Sequence, residues 1–496
     1  MSVFAPIPLG QPIPAGPHSV SCSLPTMRAV RGYEEKDPAV TRHLTSGYPR
    51  FLVHPFARQL AGRFAPPGRT LWLTSSGRMA AELVRHLGPS SGADVYSADG
   101  LFGVHHPESA PMAAQAKLFL QHIGGFLSSR EAEDHLVRLG LREKACPETA
   151  FAGDAAGQVR RWLRAALPGA SDPDLLLANS GMNAAYAAFR AISELQAPRG
   201  RTAWVQLGWL YLDTIAILRK FTAEPGDYIH AVDPLDGPAL ERLFAEKGSR
   251  IAGVFAEIPT NPLIQTPNLA ALAALCRRHG ARLIVDPSVA SVGNVRALPY
   301  ADAVVCSLTK YTASDGDVIA GTVAINPQGP DAAGLRHRVA NWLEPVYPRD
   351  LARLAAQIGR TDKVLARIQE STPRIASFLS GHPKVRDVFW ALHPASRDNY
   401  LAIARGPNAV GGMLSFSLRE PLEPFYDRLR LPKGPSFGMR TTLICPFMYL
   451  AHYDLVSTPE GRAKLSANGL DPDLLRLCVG VESAEDIISA LSEALG

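Results

Sequence analysis

Between residues 174 and 326 short, nearly unbroken apolar runs alternate with segments of helical spacing, and this alternation narrows the possible folds most. The runs are DLLLANS, AWVQLGW, YIHAVDP, IAGVFAEIP, ARLIVDPS, ADAVVCSLT and GTVAIN, and between them lie segments such as NAAYAAFRAISELQ and NLAALAALCRRHG. A strand buried on both faces has no polar side to show, so it reads as a continuous apolar run. Strand–helix alternation supplies the crossovers that parallel strands need. The pattern predicts an α/β fold with a mostly parallel sheet between two layers of helices.

The flanks read differently. Residues 1–56 are rich in Pro and Gly, show no long periodic segment, and are expected to form an extended arm. Over 57–165, SSGRMAAELVRHLG, PMAAQAKLFLQHIGGFLSS and AGQVRRWLRAALPG carry apolar residues at helical spacing, which predicts a largely helical module. The sheet is assigned to 166–340. A long helical stretch, LARLAAQIGRTDKVLARIQESTPRIASFLSG, opens a smaller α+β domain over 341–496, with strand-like FWALH, GGMLSFSL and LLRLCVGV before a last helix, SAEDIISALSEAL.

The chain has 496 residues, 46% hydrophobic, enough for at least one large core and two or three domains. A formal charge of +5 from scattered basic residues does not make a nucleic-acid footprint, and is compatible with an anionic small molecule or phosphate. The six cysteines (Cys22, Cys146, Cys276, Cys306, Cys445, Cys478) form no CxxC pair and mostly lie in apolar runs, so reduced buried thiols are expected rather than disulfides or a metal site. Pro interrupts the first twenty residues, and no apolar stretch is long enough to span a bilayer. The expectation is a soluble, cytoplasmic protein.

Four segments carry potential chemistry. SLTKY follows the strand ADAVVC, and a partly desolvated Lys310 there has the lowered basicity that frees an amine to attack an aldehyde. Ser307 and Thr309 beside it are suitable hydroxyl donors to a phosphate. Asp286 ends the strand of IVDPS, at the sheet edge where such folds bind ligands, and could pair with a protonated pyridine nitrogen. NSGMN at 179–183 opens a helix whose free N–H groups and positive end suit a phosphate. EIPTNP at 257–262 is a loop stiffened by two prolines at the same edge, from which Asn261 could reach a ring oxygen. Taken singly, each also has an ordinary reading: a surface lysine, a helix N-cap, a plain turn, a loop.

In this order and on these strand ends, SGM, ExPTNP, VD and SxTKY followed by DVIAG resemble the pyridoxal 5'-phosphate (PLP) enzymes of cysteine and methionine metabolism, a fold-type I family. That family includes the cystathionine γ-synthases, cystathionine lyases and O-acylhomoserine sulfhydrylases. The resemblance covers roughly 174–490. PHSVSCSLPT, GYEEKDP, SGYPRF, GWLYLDT, KGPSFG and CPFMYLAHYD are similar to the longer, fungal-type cystathionine γ-synthase branch. The resemblance implies PLP held by Lys310 as a Schiff base, Asp286 on the pyridine nitrogen, and Gly181, Met182, Ser307 and Thr309 as the phosphate cradle. It further implies Tyr48 and Arg50 reaching the phosphate of a neighbouring subunit, and Arg476 clamping the substrate α-carboxylate, as a guanidinium can with two bonds. A homodimer or homotetramer with shared active sites follows from the same match.

Two departures stand out. Leu207 in QLGWLY occupies the place of a tyrosine that stacks on the cofactor, with Trp209 or Tyr211 as candidate substitutes. The substrate loop reads Ser436-Phe437-Gly438-Met439-Arg440, where Arg440 either binds an acidic substrate group or faces solvent. The expected reaction is γ-substitution on an activated homoserine ester in amino-acid biosynthesis, with cysteine as nucleophile in trans-sulfuration. The alternatives are β- or γ-elimination, a different nucleophile in specialised metabolism, or a PLP-binding protein without turnover.

Overall fold

The computed structural model describes residues 4–496. The arm is more than an extended strand. It forms a small ladder, Pro12–Ile13 against Ser21–Cys22, and then helix α1 (Met27–Glu34), capped by the Thr26 side chain on Ala29 N. Met27, Val30 and Tyr33 of α1 enter a core shared with Phe416 and Leu431, far away in sequence, so the arm is packed down on the C-terminal domain.

The 57–165 module holds helices α2 (Pro55–Phe64), α3 (Gly77–Leu87), α4 (Ala110–Ile123), α5 (Ser129–Arg138) and α6 (Ala155–Ala166). It also contains a three-stranded antiparallel sheet that helical spacing did not announce: β1 (Arg69–Thr74), β2 (Asp94–Ala98) and β3 (Leu101–Pro107), in the order β1-β3-β2. Four of the five residues of β2 are exposed, so that strand has no apolar period to read. Arg130 of α5, 1% exposed, fastens the module to the rest. Its guanidinium bonds Asp350 Oδ1 at 2.9 Å, the Asp317 carbonyl at 2.7 Å and Glu148 Oε2 at 2.7 Å.

The central sheet has seven strands: β4 (Leu175–Ala178), β5 (Ala203–Leu207), β6 (Tyr228–Ala231), β7 (Ile251–Glu257), β8 (Arg282–Asp286), β9 (Ala303–Ser307) and β10 (Gly321–Ile325). Every expected run is a strand. Their order is β4-β10-β9-β8-β7-β5-β6. Pairing is parallel from β9 across to β6, and β10 runs antiparallel to both of its neighbours. Alternate residues feed two cores, as the period-two geometry of a strand requires. Leu283 and Val285 join the core on one face, and Ile284 joins the core on the other. Helices α7 (Gly181–Gln196), α8 (Leu212–Phe221) and α9 (Leu269–His279) cover it.

The long helical stretch after the sheet is two helices, α10 (Pro348–Ile358) and α11 (Thr361–Gly381), broken at Gly359–Arg360. An antiparallel sheet follows, β11 (Val385–Trp390), β12 (Met413–Leu418), β13 (Leu443–Pro446) and β14 (Leu475–Cys478), in the order β11-β12-β14-β13, closed by helix α12 (Ala484–Leu495). Strand β13 is four residues long and ends in Pro446, too short for a pattern to register. Among the described residues the six cysteines are free, and no helix is long and apolar enough to cross a membrane.

Candidate active site

The carboxyl ends of β7, β8 and β9 deliver Glu257, Asp286 and Ser307 to one edge of the sheet, and all three line a cavity of about 710 Å³. Parallel pairing sets Glu257 directly beside Asp286. The Asp286 carboxylate accepts from Ser288 N at 2.8 Å. Burial pushes its pKa from 3.8 up to about 6, against the pull of the Ser288 bonds and the nearby Lys310 charge. Glu257 is driven well above the usual carboxylate range, first by burial and then by Asp286, and it accepts a bond from the Tyr211 amide. This edge therefore holds a pair of carboxyls reluctant to be anions together.

Lys310 stands in the turn that follows β9, where its amide bonds the Ser307 carbonyl at 3.3 Å. Its Nζ donates to the Tyr48 hydroxyl and lies 4.3 Å from the centre of the Tyr48 ring and 4.7 Å from that of Phe437. The Tyr48 hydroxyl and Ser436 Oγ share a bond of 2.5 Å. Ser436 has φ of 93°, a region a non-glycine residue enters only when its surroundings hold it there. Its carbonyl accepts from Arg476 Nη2 at 3.3 Å, and Arg476 Nη1 reaches Asn261 Oδ1 at 3.4 Å. A continuous polar chain thus runs Lys310–Tyr48–Ser436–Arg476–Asn261 through one cavity.

On the far side, Ser180 caps α7 by accepting from Asn183 N at 3.1 Å, so Gly181 and Met182 present first-turn N–H groups that have no partner within the helix. Both residues line the cavity beside Ser307. A Cβ at Gly181 would stand 2.9 Å from that of Ser307, so only glycine lets helix and strand end approach this closely. These residues fit PLP: an amine to hold its aldehyde, a buried acid for its ring nitrogen, and a helix end with hydroxyls for its phosphate.

Leu207 and Thr309 are placed otherwise than expected, while Tyr48, Arg50 and Arg440 have partners within the chain. Leu207 closes β5 inside the apolar core and does not line the cavity; Tyr211, four residues on, does. The turn from Gly208 to Tyr211 carries the chain from the sheet to the cavity wall before α8 begins. Tyr48 and Arg50 line the cavity of their own chain, where the arm packs against its C-terminal domain. Thr309 lines the cavity, but its hydroxyl is engaged by the Ala320 backbone at 3.1 and 3.3 Å. Arg440 is 52% exposed in its side chain and pairs with Asp315 at 3.6 Å, outside the cavity. Sequence reasoning missed Glu257, although it heads the EIPTNP motif, because a carboxylate at a strand end gives no sign of its neighbour. It also missed Asp213 and Gln121, which line the same cavity.

The profile of the family described as Cys/Met metabolism PLP-dependent enzyme matches residues 165–496. An L-2-amino-4-chloropent-4-enoate dechlorinase/desaturase from Streptantibioticus cattleyicolor is 41% identical over 489 residues, 98% of this chain and 97% of the relative. A cystathionine γ-synthase from Neurospora crassa is 27% identical over 99% of this chain and 98% of its own length. Among solved structures, cystathionine γ-synthase from Xanthomonas oryzae pv. oryzae in complex with cystathionine superposes with a TM-score of 0.56 at 25% identity, covering 71% of this chain and 91% of that one.

Proposed function

From the chain's membership of the Cys/Met metabolism PLP-dependent enzyme family, we propose that it removes a leaving group from the γ-carbon of an L-α-amino acid, with elimination as the outcome. The single observation that carries this is Lys310 in one cavity with both Asp286 and Arg476. It joins an amine able to move protons, an acid for the ring nitrogen and a guanidinium for a carboxylate.

Bound PLP supplies the electron sink for charge left at the α-carbon. Asp286, facing Lys310 from the end of β8, keeps the ring nitrogen protonated. Arg476 fixes the substrate by its α-carboxylate, which puts the α-hydrogen in reach of the Lys310 amine. That amine takes the α-proton, then a proton at the β-carbon next to the leaving group, and returns one proton to the product, while the Tyr48 hydroxyl, itself bonded to Ser436, holds the amine in place. The substrate loses one proton and the γ-leaving group as an anion, the elements of HX in all, and gains one unsaturation. Elimination is favoured over substitution by the relative named as a dechlorinase/desaturase, which is 41% identical over nearly the whole chain. The second reading, capture of the same intermediate stage by cysteine, is supported by the relative named as a cystathionine γ-synthase.

The test is to supply 2-amino-4-chloropent-4-enoate and O-acetyl- or O-succinylhomoserine, each with and without cysteine. Release of chloride or carboxylate without cysteine, with a product lighter than the substrate by HX, is expected. A thioether formed only with cysteine would replace elimination by substitution. Lys310→Ala is expected to abolish turnover and the visible absorbance of the bound cofactor.

A further inference from the structure

One face of α4 makes the N-terminal module part of the cavity wall. Lys117 and Gln121 are four residues apart, one helical turn, so their side chains leave the helix on the same side. Lys117 Nζ donates to the Arg50 carbonyl at 3.1 Å, and Gln121 Nε2 donates to Asp213 Oδ1 at 2.8 Å. Arg50 and Asp213 belong to two different strips of the cavity wall, the arm around Tyr48 and the first turn of α8, just past Tyr211. Gln121 itself lines the cavity and is 8% exposed; Asp213 is 1% exposed.

A carboxylate buried this deeply needs donors, because an unpaired buried charge is costly. His122 Nε2 is 3.8 Å from Asp213 Oδ1, beyond hydrogen-bond distance, and burial lowers its pKa to about 4, so it is neutral near pH 7. Gln121 therefore donates directly to Asp213, which is also a side-chain hydrogen-bond partner of Tyr211. Asp213 stands two residues from Tyr211, and together with burial it holds the Tyr211 phenol well above the ordinary tyrosine range. The Tyr211 amide is bonded at its other side to Glu257.

We propose that Gln121 is a positioning residue: by hydrogen-bonding Asp213, helix α4 of the N-terminal module fixes Tyr211 in the wall of the PLP cavity. The module is then a working part of the site. This rests on the reading of the cavity as the PLP site.

Gln121→Glu separates positioning from packing. A protonated glutamic acid donates to Asp213 as the amide does, whereas an ionised one repels it. The charged and titrating groups around the pair are Lys117 and His122 on α4, His86 on α3, Lys220 on α8, Tyr33, Glu34 and Lys36 in and just after α1, Tyr48 and Arg50 in the arm, Tyr211 in the turn, and Glu257 at the end of β7. None of them is itself replaced, so the ratio of variant to wild type reports the titration of the new carboxyl together with the shifts it imposes on these neighbours.

The holoenzyme is followed without substrate by visible circular dichroism of the bound cofactor, and with substrate by kcat and KM, from pH 5.5 to 8.5. For Gln121→Glu, the dichroism and kcat/KM are expected to fall at least fivefold below wild type at pH 8.5 and to return towards it at pH 5.5. Gln121→Leu is expected to be low throughout. Wild-type dichroism and kinetics in both variants, or equal losses in both at every pH, would overturn the proposal. Should Gln121→Leu not fold, the pH ratio for Gln121→Glu decides alone. A wild-type protein that bound no PLP would instead refute the PLP reading of the cavity.

Discussion

Arg476 lies in the middle of β14, paired with Ser415 on one side and Cys445 on the other, and is 7% exposed. Buried guanidinium needs acceptors; Arg476 makes long bonds to Asn261 and the Ser436 carbonyl, lies against Cys445, and lines the cavity. Arg476→Lys keeps the charge and loses the paired donors. At about 1.5–3 kcal/mol for a charge-assisted bond, kcat/KM is expected to fall roughly tenfold to a hundredfold. Most of the loss should appear in KM, read from steady-state kinetics. Asp286 gives a prediction in pH. In the cofactor-free protein its pKa is about 6 against an ordinary 3.8. Below 3.8 folded and unfolded chains both hold the proton; between the two values only the folded chain does. This contribution to stability is therefore complete at low pH and is lost as pH rises through about 6. Asp286→Asn is expected to remove that decline, seen as a flatter dependence of melting temperature on pH from 4 to 6.5. Lys310 and Asp286 could be placed on the cavity from the sequence because each sits at or just past a strand end, whereas Arg476, in the middle of β14, was reached only through the family resemblance. Leu207 was misplaced because the turn after β5 takes four further residues to reach the cavity, and spacing alone does not show that.

At the scale of elements, the approach of α7 to β9 is limited by a single missing carbon. A Cβ at Gly181 would press on Ser307 Cβ at 2.9 Å and Cα at 3.1 Å. Gly181→Ala must therefore move the helix start away from the strand end, at about 1–3 kcal/mol for overpacking. PLP affinity is expected to weaken about tenfold by equilibrium titration, with far-ultraviolet circular dichroism unchanged. The seven central strands could all be read beforehand because each is a short, mostly apolar run set between helical segments; five are almost wholly buried, and even the half-buried edge strand β6 keeps apolar residues between its turns. The strands of the N-terminal module could not. In β2 most side chains meet water, and in β1 only half are buried, so neither hydrophobic periodicity nor length distinguished them from loop. The break between α10 and α11 was invisible for the opposite reason: apolar spacing continues across Gly359 while the backbone does not.

Across the whole molecule, the N-terminal module is held by charge as well as by apolar packing. Arg130 joins α5 to Glu148, to Asp317 in the loop before β10, and to Asp350 of α10. Arg130→Leu would strand acids in a buried setting, and removing one partner of such a cluster typically costs about 3–5 kcal/mol. Urea denaturation is expected to show that loss, with the N-terminal module loosening first as judged by hydrogen exchange. The pairs with Asp317 and Asp350 could not be inferred from the sequence, since nothing local to Arg130 announces acids 187 and 220 residues away.

The wall of the cavity includes His18 near one end of the chain and Arg476 near the other. A ribosome that has released every strand of the central sheet has still not released the guanidinium at 476, and a chain whose first fifty residues are unplaced lacks the hydroxyl beside Lys310. No partial product of synthesis can assemble this site. The groups that would hold PLP are all made by Lys310, so it is the grip on a substrate carboxylate at Arg476, and not the cofactor cradle, that waits for the last part of the chain.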